Sequence, residues 1–139
     1  MKIRQLFRKA VKENFIIVAI STGLTMNEYH NPIVVNLIED CCPDYWELLT
    51  PSAYLVFFRS KHSASRNQAE KLIEGIRNLI LHDEKFEYFK VGINEGVVLT
   101  ELDWRGRVTF PPVGEAVLKA TKNEKGKQDF AQQNFQADQ

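Results

Sequence analysis

Apolar residues recur at helical spacing at the start of the chain. Between residues 3 and 13 they recur at positions i, i+3, i+4, i+7 and i+8, with lysine and arginine among them: Ile3, Leu6, Phe7, Ala10 and Val11. This spacing places them on one helix face and predicts an N-terminal amphipathic helix over residues 1–13. Glu13 and the short length argue against a helix that lies on a membrane surface. We expect the helix to pack on the domain or on a second copy of the chain.

The pattern then changes to that of strands and further helices. Residues 15–21 are a continuous β-branched and aromatic run, as in a strand buried on both faces. Short apolar or alternating runs predict the other strands, which are 45–49, 53–58, 89–93, 97–102 and 108–110. Helical spacing predicts the other helices, which are 27–40, 66–82 and 114–123.

The order of elements in the middle of the chain is β-α-β-β-α-β, the ferredoxin-like split arrangement. We therefore predict an α+β domain over residues 14–123. It has a ferredoxin-like β-α-β-β-α-β core with an added C-terminal hairpin and helix, and the N-terminal helix precedes it. Residues 124–139 are polar and rich in glutamine, so we expect a disordered tail.

The balance of charges restricts the classes of partner. Lysine plus arginine equals aspartate plus glutamate at 18 each, so no global field favours nucleic acid or an anionic membrane. The apolar run at 15–20 is shorter than the roughly 7–15 residues of a secretory signal core and far shorter than the ~20 that span a bilayer. Cys41 and Cys42 are neighbours and offer no disulfide framework. We expect a cytoplasmic protein that binds neither nucleic acid nor membrane.

Two short runs in the C-terminal half resemble a known family. They are VGINEGV at 91–97 and PVGEAVL at 112–118. The first resembles the Val-Gly-Ile-x-x-Gly-x-Val run that ends a strand in the class III nucleotidyl cyclase domain, the fold of adenylate and guanylate cyclases. The second resembles the Val-x-Gly-Asp-x-Val-Asn start of that family's last helix, with Glu115 in place of the aspartate. In order and spacing the resemblance covers residues 15–122, and it implies a degenerate, shortened cyclase-like sandwich.

The resemblance also locates the family's functional positions. Cyclases bind two divalent ions through two aspartates, and those positions here hold Ser21, or Thr22 beside it, and Ser52. The family's ribose-positioning Asn and phosphate-binding Arg correspond to Leu118 and Lys122. Uncharged hydroxyls are poor substitutes for carboxylates that hold metal ions against a triphosphate. We therefore expect no catalytic residues, no metal ligands and no cofactor at these cyclase-equivalent positions.

Three functions are consistent with these observations. A cyclase-like scaffold without its metal aspartates favours a pseudoenzyme that forms a homodimer, as class III cyclases do, and binds a protein partner or a nucleotide. The second function is that of a divergent cyclase that uses other acids, with Glu95, Glu115 or Asp103 as candidates. The third is a small ferredoxin-like binding protein unrelated to cyclases, because one fold hosts many functions.

The turn predicted at 103–107 carries residue types that are enriched in protein interfaces. Trp104, Arg105 and Arg107 stand there together. In cyclases the corresponding hairpin lies near the dimer partner, so these three are candidate interface residues. The alternative is an ordinary turn with Trp104 folded back onto the core.

Basic residues also gather at a predicted strand-to-helix connection. Arg59, Lys61 and Arg66 flank the serines at 63 and 65. Together with the free N–H groups of a helix start, these side chains are compatible with a phosphate site. We favour a solvated loop over a phosphate site.

Overall fold

One four-stranded antiparallel sheet organises the structure, a computed structural model that describes residues 8–23, 30–49 and 52–137. Its strands are β1 (Lys9–Ser21), β2 (Tyr45–Leu49), β3 (Ala53–Arg59) and β4 (Lys90–Leu102), in the order β2-β3-β1-β4. The helices are α1 (His30–Asp40), α2 (Ser65–His82), α3 (Glu115–Lys122) and α4 (Lys127–Ala137). The predicted α+β class is confirmed. Among the residues described, none of the helices is long and apolar enough to cross a membrane.

The apolar run in β1 is continuous because both faces of this strand are covered. Even-numbered residues of the run 15–20 pack in a core with α1 and α2, and odd-numbered ones pack in a second core with α3. All six are at most 2% exposed. Each large apolar side chain buried in this way contributes about 1.5–3 kcal/mol, so β1 is the central element of the fold.

Residues 9–13 belong to β1, and the helix predicted for them is wrong. β1 pairs with β4 along its whole length, from Lys9 opposite Leu102 to Ser21 opposite Lys90. This pairing satisfies alternate backbone N–H and C=O groups of the segment, on the side that faces β4. Tertiary pairing thus outweighs a weak helical periodicity. The first part of the predicted helix, residues 1–7, lies outside the described residues.

β4 is one strand of 13 residues where the sequence predicts two. Gly96 lies between the two predicted strands, yet the strand continues through it. A Cβ at this position would come 2.8 Å from the Cβ of Ala116, so the glycine permits close packing of α3 on the sheet. The return strand predicted at 108–110 does not form as a strand. Isolated bridges take its place, and they are Leu102–Val108 and Leu99–Val113.

The polar end of the chain forms helix α4, and the expectation of a disordered tail is wrong for residues 127–137. Phe130 is 6% exposed and joins the core beside α2, where the guanidinium carbon of Arg77 lies 5.3 Å from its ring centroid. The Gly126 N–H donates to Asp129 Oδ2 at 2.9 Å in the first turn. One aromatic anchor therefore holds a segment whose composition is that of a tail. Residues 138–139 lie outside the described part.

The remaining predicted elements agree with the structure to within a few residues. The helices predicted at 66–82 and 114–123 are α2 and α3, and the strands at 45–49 and 53–58 are β2 and β3. The helix predicted at 27–40 is α1 from residue 30 onward, and residues 27–29 lie outside the described ranges.

Candidate functional site

Ser21 and Ser52 lie together at one end of the sheet. Ser21 is the last residue of β1, and Ser52 directly precedes the neighbouring strand β3. Thr22 connects them, because its N–H donates to the Ser52 carbonyl oxygen at 2.8 Å and its hydroxyl donates to the same oxygen at 3.3 Å. The two positions that the cyclase resemblance assigns to metal ligands are thus adjacent in space, and both carry hydroxyl groups.

A carboxylate from another part of the chain reaches the same place. The Ser21 hydroxyl donates a hydrogen bond to Oε2 of Glu124, which follows α3 in the sequence. The backbone beside Glu124 is fixed on the edge of the sheet, because Lys125 and Val91 exchange two hydrogen bonds, of 2.9 and 3.0 Å. Burial raises the pKa of Glu124 above its usual range, against the smaller lowering effects of the Ser21 hydrogen bond and the charge of Lys90.

Replacing Glu124 by glutamine should remove a pH dependence of stability. Between the unfolded pKa of this carboxyl and its raised folded pKa, the folded state binds more protons, so stability falls as pH rises. Glutamine keeps the shape and an acceptor for Ser21 but does not ionise. We expect the variant to equal the wild type or exceed it by up to about 1 kcal/mol at neutral pH. Urea unfolding between about pH 4 and pH 8 would measure this.

The matched control for this prediction is Glu70→Gln, which removes an exposed carboxyl from α2. It should leave the wild-type pH profile unchanged. If Glu124→Gln also kept the wild-type profile, Glu124 would not be the group whose ionisation opposes folding at neutral pH.

Glu115, Leu118 and Lys122 share the outward face of α3. Ala116 and Ala120 turn toward the sheet and are buried, whereas the three residues at spacing i, i+3 and i+7 are exposed, Leu118 by 61%. The cyclase-equivalent positions on this helix therefore form one solvent-facing stripe.

Glu115 does not join Ser21 and Ser52. The start of α3 lies over Gly96, which pairs with Phe15, and the end of α3 lies over Gly92, near the end of β1. At about 3.3 Å per residue, roughly 20 Å of strand separates the level of Gly96 from Ser21. The cyclase-equivalent positions are therefore divided between the end of β1 and the outward face of α3.

The other candidate acids are also held far from Ser21. Glu95 forms an ion pair with Arg66 and accepts a hydrogen bond from Asn14 Nδ2 at 2.9 Å. Asp103 lies in the turn after β4, beyond the opposite end of β1 from Ser21. Neither carboxylate is available at the end of the sheet where Ser21 and Ser52 lie.

The residues at the end of β1 do not fit the two-metal site that the cyclase resemblance implies. A pair of divalent ions needs several charged oxygen ligands. Here one carboxylate, Glu124, stands beside hydroxyls, and the hydroxyl of Ser21 already donates to it. Within the described ranges, no three His, Cys, Asp or Glu side chains are grouped so that they could hold a metal ion.

The turn at 103–107 is cross-linked by hydrogen bonds and exposes its tryptophan. Asp103 Oδ1 accepts the N–H groups of Arg105 and Arg107 at 2.9 Å each, and its Oδ2 accepts Nε of Arg107 at 3.0 Å. These hydrogen bonds lower the pKa of Asp103, and the one from the Arg107 backbone N–H has the largest effect. Trp104 is 44% exposed, and the guanidinium carbon of Arg105 lies 4.6 Å from its ring centroid. An ordered, exposed aromatic and arginine pair is typical of a binding surface.

Arg59 ties this turn to the sheet. Its Nε and Nη2 donate to the two carboxylate oxygens of Glu13 at 2.5 and 2.6 Å, and its Nη1 donates to the Gly106 carbonyl oxygen at 2.8 Å. Arg59 is 7% exposed, so neither the solvated loop nor the phosphate site suggested by the sequence describes it. Hydrogen bonding to Arg59 lowers the pKa of Glu13 and keeps it ionised.

Sequence reasoning missed both Glu124 and the Glu13–Arg59 pair. Glu13 lies two residues before Phe15, so the two side chains share one face of β1. This relation can be recognised only after residues 9–13 are assigned to a strand. Glu124 lies in a polar segment without periodicity, and no sequence pattern places it beside Ser21. Its position follows from the docking of the segment that leaves α3.

No protein-family model matches the chain, and no curated protein is a significant match to it. Solved structures do match. The catalytic core of a rhodopsin-guanylyl cyclase with converted specificity, in complex with ATPαS, has a TM-score of 0.63 at 13% identity, over 86% of this chain and 77% of that one. The monomeric guanylyl cyclase domain of the RhoGC fusion protein from the aquatic fungus Blastocladiella emersonii has 0.60 at 14% identity, over 85% and 80%. A non-canonical dimeric form of that domain has 0.53 at 15% identity, over 87% and 80%.

These matches show the fold of the chain. The α+β domain has the fold of guanylyl and adenylyl cyclase catalytic domains, and the cyclase-like fold expected from residues 91–97 and 112–118 is confirmed. Fold alone does not assign an activity, which depends on the side chains at the site.

Proposed function

We propose that this chain is a non-catalytic cyclase-fold module that forms a homodimer and binds a protein or nucleotide partner. The observation that carries the proposal is the chemistry at the end of β1. There Ser21, with Thr22 beside it, and Ser52 stand at the positions of the two aspartates, and one partly buried carboxylate, Glu124, lies beside Ser21. Ions that neutralise a triphosphate and activate a ribose hydroxyl need more charged ligands than these.

Two exposed surfaces support the binding role. The outward stripe of α3 leaves Leu118 61% exposed at a position where the cyclase resemblance implies a polar residue. The turn that carries Trp104 is held by its own hydrogen bonds to Asp103, and such preorganisation lowers the entropic cost of binding. We also propose that the strand order β2-β3-β1-β4 is the ferredoxin-like arrangement. The free thiols of Cys41 and Cys42 favour a reducing, cytoplasmic location.

The purified protein should form no cyclic nucleotide. Incubation with ATP, GTP, CTP or UTP and Mn²⁺, followed by chromatography, should give the same result as a reaction without protein, because the carboxylate ligands of a two-metal site are lacking at Ser21 and Ser52. An active guanylyl cyclase in the same buffer provides the positive control. In parallel, light scattering at micromolar concentration should give the mass of a dimer, and a monomer at every concentration would contradict the homodimer.

A divergent cyclase is the second candidate function, and Glu124 is the observation that favours it. Its carboxylate lies beside Ser21, where the family has its first metal aspartate. Under this alternative, metal-dependent cyclic product would form and would be lost in Glu124→Gln. Product formation that survives Glu124→Gln would count against both the non-catalytic module and a cyclase that depends on Glu124.

A further inference from the structure

The outward stripe of α3 is complementary to itself. Glu115 lies at the start of the helix and Lys122 at its end, about 10 Å apart along the axis at about 1.5 Å per residue. Leu118 lies close to the midpoint between them. If a second α3 is placed antiparallel against the first about a two-fold axis, the acid of each helix faces the lysine of the other and the two leucines meet.

Packing beneath the helix makes this stripe prominent. The buried residues on the sheet side of α3 are Ala116 and Ala120, with Val117 partly buried beside them, and the strand below has glycines at 92 and 96. A Cβ on Gly96 would come 2.8 Å from the Ala116 side chain, so the helix lies close to the sheet. Leu118 and the charged side chains of α3 point outward, and Leu118 is 61% exposed.

The charges on the stripe have no ion-pair partner among the described residues. Neither Glu115 nor Lys122 forms a salt bridge with another residue in the described part of the chain. The acid stands in the first turn and Lys119 and Lys122 stand in the last turn, so each end of the stripe carries the sign that the antiparallel end of a second copy attracts.

We propose that two copies of this chain associate through α3, antiparallel about a two-fold axis, with Leu118 against Leu118 and Glu115 opposite Lys122 of the second copy. This inference rests on the proposed homodimer and specifies its central contact. The occupant is a second copy because the stripe is matched in charge to its own reverse. A purely acidic partner would meet Glu115, and a purely basic partner would meet Lys119 and Lys122.

Charge reversal is a sensitive test of this contact, because in a two-fold dimer each substitution changes two equivalent ion pairs. Glu115→Lys alone and Lys122→Glu alone should each weaken the dimer by about tenfold or more, since each variant creates two like-charge contacts. The double variant Glu115→Lys/Lys122→Glu restores both attractions and should return close to the wild-type dissociation constant. Lys71→Glu, an exposed charge reversal on α2, which packs on the other face of the sheet, should leave dimerisation unchanged. Sedimentation velocity over a concentration series gives the dissociation constants.

A cysteine at position 118 tests the two-fold axis directly. Leu118→Cys should form a disulfide between copies under mild oxidation, and Leu118→Ser should not. A dimer that ignores both charge reversals and gives no disulfide at 118 would overturn the α3 contact and leave the homodimer standing. A wild-type chain that stays monomeric at every concentration would overturn the homodimer, and the α3 contact with it. Circular dichroism of each variant separates loss of dimer from loss of fold.

Discussion

Replacing Arg59 by alanine should lower the free energy of unfolding by about 3 kcal/mol. The guanidinium is almost wholly buried and donates two hydrogen bonds to Glu13 and one to the carbonyl oxygen of Gly106. Its removal leaves a carboxylate whose side chain is 19% exposed without its counter-charge. Breaking a buried pair from one side is costly because the remaining charge stays desolvated. The loss should lie at the lower end of the usual range for buried pairs because Glu13 keeps some contact with water. Urea denaturation at neutral pH would measure the loss.

The matched control is Arg66→Ala, which breaks the exposed ion pair with Glu95. We expect it to cost less than about 1 kcal/mol, because solvent screens a pair whose arginine side chain is 58% exposed. If Arg59→Ala cost no more than Arg66→Ala, the Glu13–Arg59 pair would not contribute to the fold in the way its geometry indicates.

The same pair should also affect stability in acid. Arg59 lowers the pKa of Glu13 in the folded state, so between the folded and unfolded pKa values of this carboxyl the unfolded state binds more protons. The stability from this pair is therefore fully present above the unfolded pKa and is lost as pH falls through the folded pKa. Arg59→Ala should flatten this acid limb, and Arg66→Ala should leave it in place.

Loss of Arg59 should also loosen the turn that carries Trp104. The hydrogen bond from Nη1 to the Gly106 carbonyl is a direct tie between this turn and β3. Asp103 would still hold the turn's own hydrogen bonds, so the turn should keep its shape and lose its fixed orientation on the sheet. Faster amide hydrogen exchange at residues 104–107 in Arg59→Ala, at a pH where the variant remains folded, would show this.

The strand buried on both faces and the amphipathic helices could be predicted from the sequence, because the pattern of apolar residues in each element reflects which of its faces are buried. The run 15–20 is apolar without interruption since α1 and α2 cover one face and α3 covers the other. The spacing of apolar residues in α2 gives that helix correctly for the same reason. The N-terminal prediction failed because the apolar positions from 3 to 11 fit a helix, and only β4, 80 or more residues later, shows that residues 9–13 are paired as a strand.

The sequence predicted the location of the site better than the chemical groups that form it. The resemblance assigned Ser21 and Ser52 to the positions of the two metal-binding aspartates of cyclases, and the structure places these two residues close together. It did not provide Glu124, because that carboxylate comes from a segment whose polar composition predicts disorder. The segment after α3 is held by one buried phenylalanine and a pair of backbone hydrogen bonds to a distant strand. Such long-range contacts produce no periodic pattern in the local sequence.

Replacing Gly92 by alanine should lower the free energy of unfolding by about 3 kcal/mol. A Cβ there would lie 2.3 Å from the carbonyl oxygen of Ala120 and 2.7 Å from the backbone nitrogen of Glu124. Both are backbone atoms, so no side-chain rotation relieves the contact, and the end of α3 must move away from β4. Propensity alone gives the opposite sign, since alanine is favoured over glycine in a strand interior by roughly 0.5–1 kcal/mol. The sign of the measured change therefore decides between close packing and backbone entropy.

Gly75→Ala is the matched control for this substitution. Its Cβ would meet Leu37 Cδ2 at 3.2 Å, the end of a flexible side chain, and alanine is the better helix former by about 1 kcal/mol, so the change should be within about 1 kcal/mol of zero. Displacement of the segment after α3 in Gly92→Ala should also separate Glu124 from Ser21. The carboxyl would then regain water, and the pH dependence that Glu124→Gln removes should be absent from Gly92→Ala as well. An unfolding curve for Gly92→Ala that matches the wild type at every pH would mean that α3 is not held against this glycine.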